Sequence, residues 1–201
     1  KTLKKLNLSC LELFALPEVF EASFFSERLE ELNISHNSIL DTLPNSLTSL
    51  KALLKLEIFN TGIRCLPEKF GNLTRLLKVN LSNNKKLIAL PNSFGNLINL
   101  KELNLSLNSN LEELPSTFCG LIHLKKLKLS STKISVFPES FEKLVNLQTL
   151  SLFETKFREL PEWISNFSRL QTLDLFGTDI AAIPQSIGRL RFLENLDLSN
   201  T

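Results

Sequence analysis

The sequence contains no methionine, only two histidines and only three cysteines among its 201 residues. The two histidines, His36 and His123, stand far apart in the chain, so no histidine pair can bind a metal ion. No Ser-His-Asp or Cys-His arrangement is credible with so few histidines. We therefore expect no catalytic residue, no metal site and no cofactor.

Long apolar runs and phosphate-binding loops are missing as well. No stretch approaches the roughly 20 apolar residues that a spanning helix requires, so we expect no membrane insertion. The six glycines never occur in the spacing of a P-loop. Net charge is +2; residues 1–100 carry 12 Lys and Arg against 9 Asp and Glu, and residues 101–201 carry 11 against 12. This balance along the chain indicates no anionic partner such as nucleic acid.

What the sequence does contain is a repeat that covers the whole chain. The pattern L-x-x-L-x-L, with Val or Ile at a few of its sites, occurs nine times. The copies begin at residues 3, 29, 53, 76, 100, 124, 147, 170 and 193. The spacing between copies is 23 or 24 residues after the first, which is 26 residues long.

Each repeat combines two apolar periods. The L-x-L part alternates as a strand does, whereas a later series, for example Pro91, Phe94, Leu97 and Leu100, has the spacing of three that suits a 3₁₀ or short helical turn after proline. One repeat cannot bury its own leucines, so neighbours must stack their strands side by side in a parallel sheet. The wider helical side then forces a curve, with the strands on the inside of the arc.

This pattern resembles the leucine-rich repeat family over essentially the whole chain. Proline-initiated segments such as LPEKFGNLTRLLKVNLSNN are similar to intracellular Ras-suppressor and Scribble-type repeats, to plant immune receptors and to bacterial effectors. The resemblance implies an α/β fold, a curved leucine-rich repeat solenoid with a parallel sheet on the concave face and short helical or 3₁₀ segments on the convex face. We expect one such domain of about nine repeats over residues 1–201, as a fragment of a longer protein, because the sequence lacks Met and recognisable caps.

The cysteines bear on the compartment. Cys10, Cys65 and Cys119 lie in alternate repeats, so stacking separates neighbours by about 10 Å, beyond the reach of a disulfide. Extracellular members of the family carry Cys-rich caps, and this sequence shows none. We therefore expect an intracellular, cytoplasmic setting, or the host cytosol for a bacterial effector.

The ninth position of the repeat predicts a structural ladder. Repeats with Asn at this position are 24 residues long, and repeats with Thr there are 23 residues long. An Asn side chain has one acceptor and two donors for backbone groups of a longer turn, whereas Thr has a single hydroxyl. The predicted ladder residues are Asn37, Thr61, Asn84, Asn108, Thr132, Thr155 and Thr178.

Positions three, five and seven should point out of the concave sheet. Position seven is Ser in six of nine repeats, and its exceptions are Phe59, Phe153 and Phe176. Phe153 and Phe176 fall on neighbouring strands, and two exposed Phe residues would form an apolar patch of the size that marks binding sites. The alternative is that the two rings only cover each other as a cross-strand pair. Charged and polar residues would form the rim: Lys126, Lys128, Ser151, Glu154, Asp174 and Asp197.

These features favour a non-catalytic module that binds a partner protein on its concave face. The alternative is the recognition arm of a larger protein, either a bacterial effector or an immune-receptor sensor, whose activity lies outside this segment. Nucleic-acid binding would require a basic concave stripe, and Glu31 and Glu102 interrupt the column of lysines at position three.

Overall fold

The computed structural model describes residues 3–201 as a single nine-stranded parallel sheet. Each strand has three residues and comes from one L-x-x-L-x-L copy, so the repeat predicted from the sequence is confirmed. The strands are β1 (Lys5–Asn7), β2 (Glu31–Asn33), β3 (Lys55–Glu57), β4 (Lys78–Asn80), β5 (Glu102–Asn104), β6 (Lys126–Lys128), β7 (Thr149–Ser151), β8 (Thr172–Asp174) and β9 (Asn195–Asp197).

Strand order follows chain order from β1 to β9, so each repeat packs only on its neighbours. The register pairs equivalent positions, for example Leu103 with Leu127 and Leu127 with Leu150. Backbone hydrogen bonding continues past the short strands: the N–H of Leu105 donates to Lys128, and that of Leu107 donates to Ser130. The sheet therefore aligns identical columns of side chains along the arc.

The convex side carries seven 3₁₀ helices, as the spacing of three predicts. Their bounds are Asn45–Ser49, Phe70–Asn72, Asn92–Asn96, Ser116–Gly120, Phe141–Lys143, Glu162–Asn166 and Gln185–Arg189. Five of them begin directly after a proline whose backbone is extended. Proline suits this place because it has no N–H to leave unpaired at a helix start.

The first repeat departs from the pattern, as its length of 26 residues indicates. It contains the short helix α1 (Ser23–Ser26) where the next seven repeats have a 3₁₀ helix. Its turn also contains Glu12, whose backbone has a left-handed conformation. The extra length of this repeat is therefore accommodated on the convex side, away from the sheet.

The core consists of the columns that the sequence predicts to point inward. The convex phenylalanines form a stack in which Phe70, Phe94, Phe118 and Phe141 follow one another at centroid distances of 5.6, 6.4 and 6.0 Å. All four are fully buried. The parallel stacking ends at Phe141, since Phe167 meets it edge-on, with an angle of 69° between the rings.

All seven ladder residues are buried, and the Asn and Thr members bond differently. The Asn84 amide donates to Leu81 in its own repeat and to Ile58 in the preceding repeat. Its Oδ1 also accepts from the backbone N–H and the hydroxyl of Thr61. The Thr132 hydroxyl donates only to Leu129 in its own repeat. Asn therefore ties two repeats together, whereas Thr132, Thr155 and Thr178 each close their own turn; Thr61 instead bonds to Asn84.

The extra residue of the 24-residue repeats lies directly after the ladder position. In those repeats the next fully buried apolar residue comes three positions after Asn, as in Leu87 after Asn84, and its N–H donates to the Asn84 carbonyl oxygen at 2.9 Å. In the 23-residue repeats it comes two positions after Thr, as in Ile134 after Thr132. The longer turn thus makes an additional hydrogen-bonded bend.

Three convex glycines allow neighbouring repeats to approach closely. A Cβ on Gly71, Gly95 or Gly120 would lie well inside contact distance of a backbone carbonyl oxygen in an adjacent repeat. The equivalent Gly188 lies in the last 3₁₀ helix, which no further convex segment follows within residues 3–201, and no atom lies within 4 Å of a Cβ there. The cysteines are all free: Cys10 and Cys65 are exposed, and Cys119 is half-buried.

Because their surroundings differ, replacement by alanine should change the free energy of unfolding differently at Gly95 and at Gly188. Gly95→Ala should lower the free energy of unfolding by about 1–3 kcal/mol, because the Thr117 carbonyl group must move. Gly188→Ala should leave it unchanged or raise it by up to about 1 kcal/mol, because the space is open and alanine restricts the unfolded chain. Urea denaturation of both variants measures the difference, and equal effects would contradict the packing account.

The ladder predicts unequal losses for Asn and Thr. Asn84→Ala should destabilise the protein by about 2–4 kcal/mol, since it leaves buried backbone groups of two repeats unpaired. Thr132→Ala should cost about 1 kcal/mol, since only the Leu129 carbonyl group loses its side-chain partner. Thermal and urea denaturation of the two variants would test this, and a larger loss at Thr132 would count against it.

Candidate functional site

Most of the candidate residues of the concave face lie on four neighbouring strands. The register pairs Lys128 with Ser151, Ser151 with Asp174, and Asp174 with Asp197. These residues therefore form one row across β6 to β9. Lys126 lies on the same strand as Lys128, two residues before it.

Phe153 and Phe176 follow β7 and β8 and form a stacked pair. Their ring centroids are 5.0 Å apart, with 16° between the ring planes. Both residues are half-buried. Each ring thus covers one side of the other and leaves part of its surface at the concave face.

A hydrogen-bonded chain supports this pair from the strands. The hydroxyl oxygens of Ser130 and Ser151 are 2.8 Å apart, and the Ser151 hydroxyl donates to Oδ2 of Asp174 at 2.9 Å. The other oxygen of Asp174 accepts from the backbone N–H of Phe176 at 3.2 Å. Ser151 is buried, so its place in the arrangement is to hold Asp174 beside the rings.

The charged candidates around the pair differ in whether they already have a partner within the chain. Lys126 lies 3.6 Å from Glu102, whereas Lys128 is exposed and takes part in none of the ion pairs within residues 3–201. The exposed Glu154 accepts a hydrogen bond from the Ser131 hydroxyl at 3.0 Å. Hydrogen bonds from the backbone N–H and hydroxyl of Ser199 lower the pKa of Asp197.

Phe59, the third exception in the serine column, is not part of this group. It follows β3, four strands from β7, and contacts the ring of His36 edge-on at a centroid distance of 4.7 Å. The Asn60 amide nitrogen lies 2.8 Å from Nδ1 of His36. The structure therefore has two separate aromatic places on or beside the concave face.

The N-terminal half of the concave face is occupied by contacts within the chain. Lys5 pairs with Glu31 at 2.7 Å, Lys55 with Glu57 at 3.0 Å, and Lys78 with Glu102 at 3.1 Å. Here lies a shallow depression of about 270 Å³, which Glu57, Lys78, Glu102, Lys126 and Lys128 help to line. Its charges already have partners, apart from Lys128 at its C-terminal end.

Asparagines at position five are also engaged within the chain. The side-chain oxygens of Asn7, Asn33, Asn80 and Asn104 accept the backbone N–H of the Ser two residues later, at 3.0–3.1 Å. Such Asx turns satisfy the first N–H group after the strand. Asn followed by Ser two positions later is therefore a strand-end motif in this protein.

Sequence reasoning missed a conformational feature at position eight. All nine residues there have left-handed backbone angles, with φ between 54° and 63° apart from Glu154 at 53°; they are Cys10, His36, Asn60, Asn83, Leu107, Ser131, Glu154, Gly177 and Asn200. The eight that have a following repeat donate their N–H to the position-seven carbonyl oxygen of that repeat. Gly177, His36 and the three Asn residues are of types enriched in this conformation, so about half of the column carried a usable signal; Cys10, Leu107, Ser131 and Glu154 carried none.

Comparison with known proteins identifies the repeat. Two family models match: one described as a leucine-rich repeat region, over residues 114–201, and one described as a leucine-rich repeat, over residues 28–50 and 99–121. A search of curated protein sequences finds no significant match. None of the helices within residues 3–201 is long and apolar enough to cross a membrane.

Solved structures share the fold over nearly the whole chain. A leucine-rich repeat protein of Leptospira interrogans is 27% identical with a TM-score of 0.84, over 98% of this chain and 55% of that one. The Arabidopsis receptor kinase HAESA, solved with the peptide hormone IDA and the co-receptor SERK1, is 26% identical with a TM-score of 0.72, over 92% of this chain and 31% of its own. The leucine-rich repeat domain of the type III effector XopL is 25% identical with a TM-score of 0.65, over 80% of this chain and 65% of its own.

The ion pairs of the concave face predict a titration effect. Burial raises the pKa of Glu102, but the Lys78 and Lys126 ammonium groups outweigh it and hold this pKa below its ordinary value. Glu102 therefore contributes stability that is present at neutral pH and is lost as the pH falls through its folded-state pKa. Replacing both lysines by Gln should raise the pKa of Glu102 to its ordinary value or above, because the burial effect then acts alone.

Carboxyl NMR titration of Lys78→Gln with Lys126→Gln measures this shift. A Lys85→Gln, Lys86→Gln variant removes the same number of charges from a turn outside the concave face and serves as the control. If the control raised the pKa of Glu102 equally, the local pairing would not be its cause.

Proposed function

Because the chain belongs to the leucine-rich repeat family, we propose that it binds a partner protein on the C-terminal half of its concave face. The family and its fold are generally non-catalytic and serve as scaffolds for protein interaction. The observation that carries the proposal is the stacked and half-exposed pair Phe153 and Phe176. An aromatic centre with a polar rim has the anatomy of a protein contact.

The contrast between the two halves of the face supports this location. In the N-terminal half, ion pairs and Asx turns satisfy charges and amides within the chain. Around the Phe pair, Lys128 and Glu154 are exposed and have no ion-pair partner within the described chain. A partner would gain most by burying the rings, with Lys128 on one side and Asp197 on the other.

The rigidity of the solenoid supports the same function. The concave side chains stand on a hydrogen-bonded sheet in which Ser151 and Asp174 fix the backbone beside Phe176. Binding to such a surface loses little conformational entropy on this side of the interface. Among the similar proteins, HAESA was solved with a peptide hormone and a co-receptor, which agrees with a polypeptide ligand.

The second candidate is the recognition arm of a larger protein. It is favoured by the lengths of similar chains, since this chain spans 55% of the Leptospira protein and 31% of the HAESA chain. Under this proposal the domain of residues 1–201 selects a target and another domain acts on it. Sequencing the gene on both sides separates the candidates: a nucleotide-binding or catalytic domain favours the second, and its absence favours a free-standing adaptor.

Substitution of the Phe pair tests the binding proposal. Phe153→Ala with Phe176→Ala should weaken partner binding by about 2 kcal/mol, roughly 30-fold in Kd, because it removes the apolar centre of the contact. The thermal midpoint should fall by only a few degrees, because both rings are half-buried. The measurement is affinity capture with mass spectrometry, followed by titration of the captured protein against each variant.

The matched control removes two exposed rings elsewhere. Phe14 and Phe192 are 76% and 63% exposed, and neither lies in the concave columns, so Phe14→Ala with Phe192→Ala should retain the partner. An unchanged set of captured proteins for the Phe153 and Phe176 variant would overturn the proposal. Marked unfolding of that variant would instead assign the two rings to packing alone.

A further inference from the structure

The segments that lead from the convex helices back to the next strand form one side of the arc, here called the return flank. Because all nine strands are parallel, these segments all lie at the same edge of the sheet. The return flank comprises residues 49–54, 72–77, 96–101, 120–125, 143–148, 166–171 and 189–194.

The return flank is strongly basic although the chain as a whole is nearly neutral. These seven segments carry eight basic residues and one acidic residue, Glu194, whereas the corresponding segment of the first repeat, residues 27–30, adds Glu27, Arg28 and Glu30. The basic residues are Lys51, Arg75, Lys101, Lys125, Lys143, Arg169, Arg189 and Arg191. The opposite side, between each strand and the following proline in repeats two to eight, carries six basic and six acidic residues. Charge is thus segregated by side of the arc and not by half of the sequence.

The charges of the return flank are also uncompensated. All eight basic residues are exposed, and none takes part in any of the seven ion pairs found within residues 3–201. Elsewhere on the protein, lysines do find carboxylates, as Lys133 does with Glu112 and Lys156 with Asp179. The flank therefore presents a positive potential to any anionic surface.

Aliphatic side chains protrude in the middle of this basic surface. Ile98, Ile122 and Val145 occupy the same position in three consecutive repeats and are 48%, 46% and 44% exposed. Phe192, on the same flank between Arg191 and Leu193, is 63% exposed. Equivalent positions in other repeats hold polar or charged residues, such as Thr74 and Ser168. A row of exposed aliphatic residues surrounded by cations combines the two attractions that hold proteins on anionic bilayers.

We propose that the return flank binds the surface of an anionic lipid bilayer. The bend of the arc curves the concave and convex faces, whereas each flank lies along the plane of the arc and can meet a flat surface over several repeats. The eight cations fall at four different positions of the repeat, so they offer no regular row for a helix or a nucleic-acid backbone. Mobile lipid headgroups need no such spacing. The proposal is independent of the concave-face function.

Vesicle sedimentation tests the proposal directly. The protein should bind phosphatidylcholine vesicles that contain phosphatidylserine, should not bind phosphatidylcholine alone, and should dissociate at roughly 0.5 M NaCl, where charges are screened. Lys101→Gln, Lys125→Gln and Lys143→Gln together should lower the partition coefficient roughly 100-fold, given the usual contribution of each basic residue near such a surface. Ile98→Ser with Ile122→Ser should also lower the partition coefficient, although this variant keeps the charge of the wild-type protein.

The matched control changes three exposed cations on the opposite side. Lys85→Gln, Lys86→Gln and Arg158→Gln remove the same net charge, and this variant should still bind the anionic vesicles. Equal loss in both triple variants would reduce the effect to net charge and overturn the proposal. The proposal would also be overturned if the wild-type protein did not bind the vesicles but bound duplex DNA or polyglutamate. The flank would then be assigned to an acidic polymer.

Discussion

The stacking of each repeat on the next is the constraint on which the rest of this structure depends. A single repeat exposes its leucines on both sides, so only an uninterrupted series can bury them. The backbone follows the same rule: every residue at position eight is left-handed, and the eight with a following repeat donate their N–H to it. Asn84 extends the same interface by bonding to the preceding repeat through its side chain. Curvature, the flat flanks and the aligned columns all follow from this stacking.

The sequence predicted the fold well because, in a repeat protein, the period of the apolar residues determines which column of the structure each one occupies. The spacing of two at Leu127 and Leu129 and the spacing of three at Phe94 and Leu97 marked buried columns, and all four residues are fully buried. What it did not predict depends on backbone conformation. Leu107 has φ of 63° although leucine rarely adopts it. Neighbouring repeats decide such features, and residue type alone does not.

The candidate site was predictable where its residues depart from the repeat's usual residue type. Phe153 and Phe176 were found because their column is otherwise mainly serine, and the structure brings their rings to 5.0 Å. The bonding beneath them was not predictable. Ser151 and Asp174 were expected to face a partner, but they bond to each other and to the backbone of Phe176. These contacts depend on rotamers across two strands, which column position does not specify.

The distribution of charge follows from the same logic. Counting charges along the chain gave balanced halves, because each repeat of about 23 residues passes once through the concave face, both flanks and the convex side. Charges on one side of the arc recur once per repeat. A count over a longer stretch of the sequence therefore averages them with the charges of the other sides. The lysines of the concave face other than Lys128 meet carboxylates, as Lys78 meets Glu102. Lys101, only one residue before Glu102, lies on the return flank without an ion pair among the described residues. Adjacent residues can therefore serve different surfaces, so the charge of a solenoid is meaningful only when it is read column by column.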